Sequence, residues 1–348
     1  MSGLLELRNV SKVFGGGIFS KNRTTALEDL SFTLDTDQSS ITSIVGESGS
    51  GKTTVARLLL GMIAPTKGHI FYKGNDVAEM SRVERKEFRR EVQPIFQDPF
   101  EVFNPFYKVD HVLKVPISKF KLAGSEGEER SMINDALEMV GLRPDETLGR
   151  YPHQLSGGQR QRIMVARSLL LKPKVILADE PVSMVDASLR ATILESIHKL
   201  NRELGISILY ITHDLTTAYQ ISDNILVLYR GSVAEGGSVE AVIKDPKHPY
   251  TQLLVGSIPQ PNPDLTWSEG RTSVVPVANR AVTGCKFADR CDSVMNLCWN
   301  NVPPRYQLDR YRVAACHLFQ DSPVMTAADV SQVFAARTEM SRQTPSGK

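Results

Sequence analysis

Leu155-Ser156-Gly157-Gly158-Gln159 stands in the middle of the chain, ahead of an apolar run that ends in two carboxylates, Val175-Ile176-Leu177-Ala178-Asp179-Glu180. Far upstream of both lies Gly46-Glu47-Ser48-Gly49-Ser50-Gly51-Lys52-Thr53-Thr54. Residues 40–45 read as a short strand feeding this glycine-rich loop, and 53–60 read as the helix leaving it, stopped by Gly61 and Pro65. Such a loop turns backbone N–H groups toward phosphate oxygens, and the helix adds its positive end. Lys52 is placed to reach the β- and γ-phosphates, and Thr53 to offer its hydroxyl to Mg²⁺. Asp179 ends a wholly apolar strand, where a magnesium-binding carboxylate is needed. Glu180 follows at once, placed to polarise a water attacking the γ-phosphate. Alone, an Asp-Glu pair would read as a helix cap or a surface pair; after this loop it reads as chemistry.

Working outward, 5–10 alternates apolar and polar residues and 25–34 reads as a second strand. Residues 81–92 are charged and helical, and 93–99 breaks into a loop at Pro94 and Pro99. Residues 105–150 carry helical periodicity over a stretch too long for a simple crossover, which predicts a helical subdomain. A helix is expected over 156–171, another over 189–204, and strands over 206–212 and 225–229. Strands alternating with helices predict an α/β fold with a mixed, mostly parallel sheet.

The chain has 348 residues, enough for one large domain and a smaller one. Apolar residues make up 41%, charged residues 23%, and the net charge is +2, so no basic stripe demands nucleic acid. The cluster from Arg82 to Arg90 reads as a solvated helix face. No apolar run approaches the ~18 residues that span a bilayer, and Met1 to Arg8 lacks a signal-peptide pattern, so a cytosolic chain is expected. The four cysteines are Cys285, Cys291, Cys298 and Cys316. In a reducing compartment such a cluster argues for metal more than for disulfides.

The ordered motifs resemble the ATP-binding subunits of ABC transporters over residues 4 to about 240. The resemblance implies a P-loop NTPase of the ABC cassette type, with two cassettes burying ATP and Mg²⁺ between them. It makes Gln97 the glutamine that touches Mg²⁺ and, with the loop 98–107, senses the membrane subunit. Ser156, Gly157, Gly158 and Gln159 become the signature that caps the γ-phosphate held by the opposite cassette. Asp186 matches the residue that crosses the dimer interface, His213 the histidine that steadies the γ-phosphate, and Phe14 the aromatic that stacks on adenine. Glu180, His213, Lys52 and Gln97 are thereby implied as catalytic. Gly46 to Thr54, Phe14, Gln97, Ser156 to Gln159, Asp179 and Asp186 are implied as nucleotide contacts, and Thr53, Gln97 and Asp179 as magnesium ligands. The interface segment reads Met184-Val185 where the family usually has Ala-Leu, a change between apolar residues.

Asp245-Pro246-Lys247-His248-Pro249-Tyr250-Thr251 resembles the element that opens the C-terminal extension of oligopeptide and dipeptide transporter ATPases. The segments from Gly284 to Cys291, Pro303-Pro304, and Ala315 to Leu318 match the rest. In relatives the cysteines can hold a [4Fe–4S] cluster, so the resemblance implies one here. The spacing, Cys-x₅-Cys-x₆-Cys-x₁₇-Cys, contains no Cys-x₂-Cys pair and makes a poor zinc ribbon. Zinc, free thiols and disulfides stay open.

The expected organisation is an ATP-binding domain over 1–240 with its helical subdomain about 105–172, a cysteine-bearing extension over 241–325, and a polar tail over 326–348. The expected function is ATP hydrolysis that powers import of oligopeptides or dipeptides at the cytoplasmic face of the inner membrane. Expected partners are a second ATPase subunit (identical or different), two transmembrane permease subunits and an extracytoplasmic solute-binding protein, with no nucleic acid. Alternatives are the same role in an oligosaccharide importer, a soluble ABC ATPase of translation or DNA repair, and a regulatory binder without turnover.

Overall fold

A computed structural model describes residues 3–15, 23–35, 39–98, 102–183, 185, 187–258, 283–326 and 328–334. Asp186, Met184, Pro259, Pro261, Pro263, Pro276, the start of the loop after Asp98 and most of the polar tail lie outside them. The first elements are β1 (Leu5–Gly15), β2 (Arg23–Leu34), β3 (Ile41–Val45), α1 (Lys52–Leu59), β4 (Lys67–Tyr72) and β5 (Asn75–Asp76). There follow α2 (Arg82–Glu91), β6 (Val92–Ile95), α3 (Asp110–Phe120), α4 (Glu126–Met139), α5 (Pro144–Thr147), α6 (Gly157–Leu169), β7 (Val175–Asp179) and α7 (Ala187–Leu204). The last are β8 (Ser207–Thr212), α8 (Leu215–Ile221), β9 (Asn224–Tyr229), β10 (Ser232–Ser238), α9 (Val239–Lys244), α10 (Pro249–Gly256), β11 (Tyr306–Asp309) and β12 (Arg312–Ala314). No helix among the described residues is long and apolar enough to cross a membrane.

The chain forms two units. One comprises Met1–Thr36, Thr42–Ala78 and Thr212–Lys348. It holds an antiparallel sheet in the order β2-β1-β4-β5. Leu5 and Leu7 of β1 are buried, as the alternating pattern predicts; Val10 is buried as well because an irregularity between Leu7 and Val10 shifts the register. A second run of strands follows the order β11-β12-β10-β9-β3. Here β3 lies parallel to β9, and the remaining neighbours are antiparallel. All five residues of β3 are buried, which lets the strand deliver the glycine loop from a fixed base. The C-terminal residues share this core: Tyr250 and Phe287 pack with Val45, Val227 and Tyr229, and Cys285 and Cys291 lean on the same cluster.

The other unit comprises Asp37–Ile41 and Glu79–Ile211. Its strands β6, β7 and β8 are parallel, and its helical block contains α3, α4 and α6. Leu113 and Ile117 of α3, Ile133 and Leu137 of α4, and Ile163 of α6 are buried. The Arg162 guanidinium donates to the Gly141 carbonyl at 2.9 Å, satisfying an orphan acceptor beyond the end of α4. One sequence expectation fails here. Residues 92–95, read as the end of a helix and the start of a loop, form β6 beside β7. Pro94 argues against a strand only where both sides are paired; β6 is an edge strand, where a missing N–H is tolerated.

His248 caps α10, its Nδ1 accepting the Tyr250 N–H at 3.0 Å, and the ring is buried. Burial pushes its pKa down to about 4. Beside it the buried Glu235 carboxylate accepts the Lys247 and His248 N–H groups at 3.0 and 2.9 Å, and burial pushes Glu235 up. Between the unfolded histidine value near 6.5 and about 4, the unfolded chain binds a proton that the folded chain refuses. Stability therefore falls as pH drops through that window, by up to about 3 kcal/mol from this residue. Glu235 has the opposite sign: its contribution is present in acid and lost as pH rises through its folded pKa. Melting curves from pH 7 to 4.5 should show a shallower acid loss in His248→Asn, which keeps a capping acceptor. An identical slope in both proteins refutes the assignment.

Candidate functional site

The loop after β3 begins at Gly46, whose φ of +151° lies outside ordinary side-chain space. A Cβ there would collide with the Leu228 carbonyl oxygen and stand 2.7 Å from Ser50 Oγ. The Ser50 N–H closes the turn onto the Glu47 carbonyl at 3.1 Å, and the Gly231 N–H holds the Ser50 carbonyl at 2.8 Å. The buried Lys52 ammonium donates to the Gly46 and Glu47 carbonyls at 2.6 and 2.9 Å. It thus lies folded over the loop from within, where a phosphate oxygen could replace a carbonyl. Ser50 Oγ is buried with no hydrogen-bond partner, while Ser48, Gly49 and Thr53 are exposed and Thr54 is half-buried. Gly51 caps α1, whose first-turn N–H groups have no helical acceptor. A buried cation, an orphaned hydroxyl and a row of amide donors fit an oligophosphate.

Two contacts to this loop escaped the sequence reading. The Glu47 N–H donates to the Tyr250 hydroxyl at 2.8 Å. Arg290 grips the Glu47 carboxylate with both terminal nitrogens, at 2.8 and 3.0 Å. Both partners were visible, in the His-Pro-Tyr element and between the first two cysteines, but no local spacing links them to Glu47.

In the second unit β7 carries Asp179 out of the sheet, and Glu180 then turns left-handed at φ 47°. Such a conformation in a residue with a side chain costs about 1 kcal/mol or more. Its surroundings impose it: the Glu180 N–H donates to the Ile211 carbonyl at 2.8 Å. Ser183 donates to the Glu180 carbonyl through its N–H and its hydroxyl, at 3.2 and 3.0 Å. The turn sets both residues at the C-terminal end of a parallel strand, where α/β folds place their ligands.

Gln97 is exposed just beyond β6. The strand end before it is pinned by α6: Gln161 Nε2 donates to the Phe96 carbonyl at 3.2 Å and Ser168 Oγ to the Pro94 carbonyl at 3.3 Å. At the start of α6 the exposed Ser156 forms a capping box. Its Oγ accepts the Gln159 N–H at 3.2 Å, and Gln159 Oε1 accepts the Ser156 N–H at 2.9 Å. The Gln159 side chain, expected on nucleotide, is thus engaged in holding the helix end. Gly158 is pressed on α7; a Cβ there would stand 2.5 Å from Leu189 Cδ1. In the first unit the exposed His213 follows β8, ahead of Asp214, which caps α8. Phe14 is 42% exposed on β1 and so is not a core residue. The Lys12 ammonium sits 5.2 Å from its ring centre.

None of the four cysteines is in a disulfide. The Cys285 N–H donates to the Cys298 carbonyl at 2.7 Å. Burial, and then the charges of the neighbouring thiols, raise Cys285, push Cys291 up to about 11 and Cys316 up to about 12. Four thiols are the donor number of a cubane cluster. Yet among the described residues no three or more His, Cys, Asp or Glu side chains are arranged to hold a metal ion. The arrangement gives the expected [4Fe–4S] cluster no support beyond its donor set.

Two family models match: "ABC transporter" over residues 27–183 and "Oligopeptide/dipeptide transporter, C-terminal region" over 234–298. Among curated proteins, the dipeptide transport ATP-binding protein DppF of Haemophilus influenzae is 38% identical, over 86% of this chain and 91% of its own. Among solved structures, a dimeric post-hydrolysis state of the ATP-binding cassette MJ0796, bound to ADP and Pi, superposes with a TM-score of 0.60 at 29% identity. It covers 68% of this chain and 98% of that one. The cbiO1 structure from Clostridium perfringens shares the fold at 24% identity, with a TM-score of 0.60 over 70% of this chain and 92% of its own.

Proposed function

This chain belongs to the ABC transporter ATP-binding proteins, and from that premise we propose that it is the ATP-hydrolysing subunit of an oligopeptide or dipeptide importer. One observation carries the reading: a cassette and an oligopeptide/dipeptide-type C-terminal region follow one another in a single chain.

In this reading the 46–54 loop cradles the phosphates and Lys52 neutralises the β- and γ-oxygens. The orphaned Ser50 hydroxyl and the amide donors support that role. Phe14 lies under the adenine. Thr53, Asp179 and Gln97 would hold Mg²⁺, which when bound draws charge from the phosphate oxygens. Glu180 accepts a proton as water forms its bond to the γ-phosphorus and the bond to the β–γ bridging oxygen breaks, giving ADP and phosphate. His213 steadies the γ-phosphate, and charge stabilisation supplies most of the rate. Ser156, with the N–H groups of Gly157 and Gly158, caps the triphosphate of a second cassette, and Asp186 crosses the same interface. The exposure of Ser156 at the start of α6 supports this head-to-tail pairing, as does the dimeric state of the MJ0796 cassette.

Two permease subunits and a solute-binding protein complete the proposed complex, with this chain on the cytoplasmic face of the inner membrane. Beyond Gln97, Phe106 is 86% exposed, and Tyr107 is also exposed. An apolar pair there supports docking on a membrane subunit. The four cysteines are proposed to hold a [4Fe–4S] cluster that staples the C-terminal segment; only the donor set supports it. Purification without oxygen, together with co-expressed neighbours, tests these readings at once. Two membrane subunits should co-purify, and ATP turnover in vesicles should rise with a peptide-loaded binding protein. Stimulation by a glycan instead would change the cargo, and recovery with ribosomes would overturn the transport role. About four iron and four sulfide per chain are expected for the cluster; their absence removes it.

A further inference from the structure

The geometry points to Arg290 and Tyr250 as positioning residues that clamp the phosphate-binding loop from the C-terminal segment through Glu47. The inference rests on the reading of residues 46–54 as the cradle for ATP, and it names what holds that cradle in shape.

Glu47 is the second residue of the loop and offers three handles. Its N–H is taken by the Tyr250 hydroxyl at 2.8 Å. Its carbonyl accepts both the Ser50 N–H at 3.1 Å and the Lys52 ammonium at 2.9 Å. Its carboxylate is gripped in two places by Arg290, a fork that fixes orientation as well as distance. Both clamps are themselves anchored. Tyr250 is fully buried, with ring centres 4.5 Å from Tyr229 and 5.5 Å from Phe287. The Arg290 guanidinium lies 5.7 and 5.8 Å from the ring centres of Phe287 and Tyr229. Phe287 and Arg290 fall between Cys285 and Cys291, which pack on the same aromatic cluster.

Two physical effects follow. The clamp prevents the loop from sampling shapes that do not present its amides together, a loss of freedom that binding would otherwise have to supply. Arg290 also offsets the Glu47 charge, which would otherwise repel a triphosphate a few residues away. The pair is 38% and 39% exposed, so water screens it and the effect is smaller than for a buried pair.

The test is steady-state ATP hydrolysis by the intact complex, with equilibrium ATP binding to the full chain. Arg290→Ala should raise KM for ATP about five- to tenfold, with kcat changed less than twofold. Arg290→Lys, a point charge without the fork, should fall between. Tyr250→Phe keeps the ring and removes only the acceptor; it should raise KM about threefold and guards against a fold defect in the arginine variant. Glu47→Gln with Arg290→Ala should be no worse than Arg290→Ala alone, because the two act through one contact. Unchanged KM in both Arg290→Ala and Tyr250→Phe overturns the clamp, as do additive losses in the double variant or a loss confined to kcat. Wild-type protein without ATP turnover would instead sink the reading of the site itself.

Discussion

Glu180→Gln is expected to lower steady-state ATP turnover about a thousandfold while ATP still binds. The amide keeps the side chain's size and leaves untouched the backbone contacts that impose the left-handed turn, those to Ile211 and Ser183. What it removes is the carboxylate proposed to accept a proton from the attacking water. Binding donors on the glycine loop and the signature are unaffected, so the variant should accumulate as an ATP-bound closed dimer. Size-exclusion chromatography with retained nucleotide reads the trapped species, and phosphate release reads turnover. Turnover above about a tenth of wild type would remove Glu180 from the role of base.

Gly46→Ala is the second large effect. The position combines a φ of +151° with a collision between the new Cβ and the Leu228 carbonyl oxygen. Leu228 lies on β9, whose parallel pairing with β3 sets the base of the loop. Either the pairing opens or the loop lifts, and both displace the amide donors. A destabilisation of about 3 kcal/mol is expected, with ATP affinity lowered about a hundredfold by an ångström-scale displacement of a preorganised site. Thermal melting and ATP titration check both. Wild-type values in this variant would mean that the loop tolerates a side chain and that its shape does not depend on β9.

The parts of the site that the sequence made legible are local. The glycine loop and the lysine after it span one strand–loop–helix, Asp179 and Glu180 follow one apolar run, and the signature carries its own capping box within four residues. The loop lies between β3 and α1, the carboxylates stand at the end of β7, and the signature opens α6. What escaped is what depends on distant pairing. Residues 92–95 hide as a strand because Pro94 is acceptable only at an edge, and edges are set by the partner order. Strands β4, β10, β11 and β12 went unread, since their pairing rather than their alternation stabilises them. The contacts of Glu47 join residues 203 and 243 positions apart, beyond any spacing rule. From sequence alone Phe14 could stack or pack, because one aromatic on a strand serves either until its exposure is known.

The hairpin of β11 and β12 has a further consequence. It covers the outer side of β10 along Glu235, Gly236 and Gly237. A chain cut after Ser238 would leave those amides and carbonyls as a bare template for another copy's backbone. The same truncation that simplifies the molecule on paper would make it self-adhesive, so a shortened cassette should precipitate where the full chain stays dispersed.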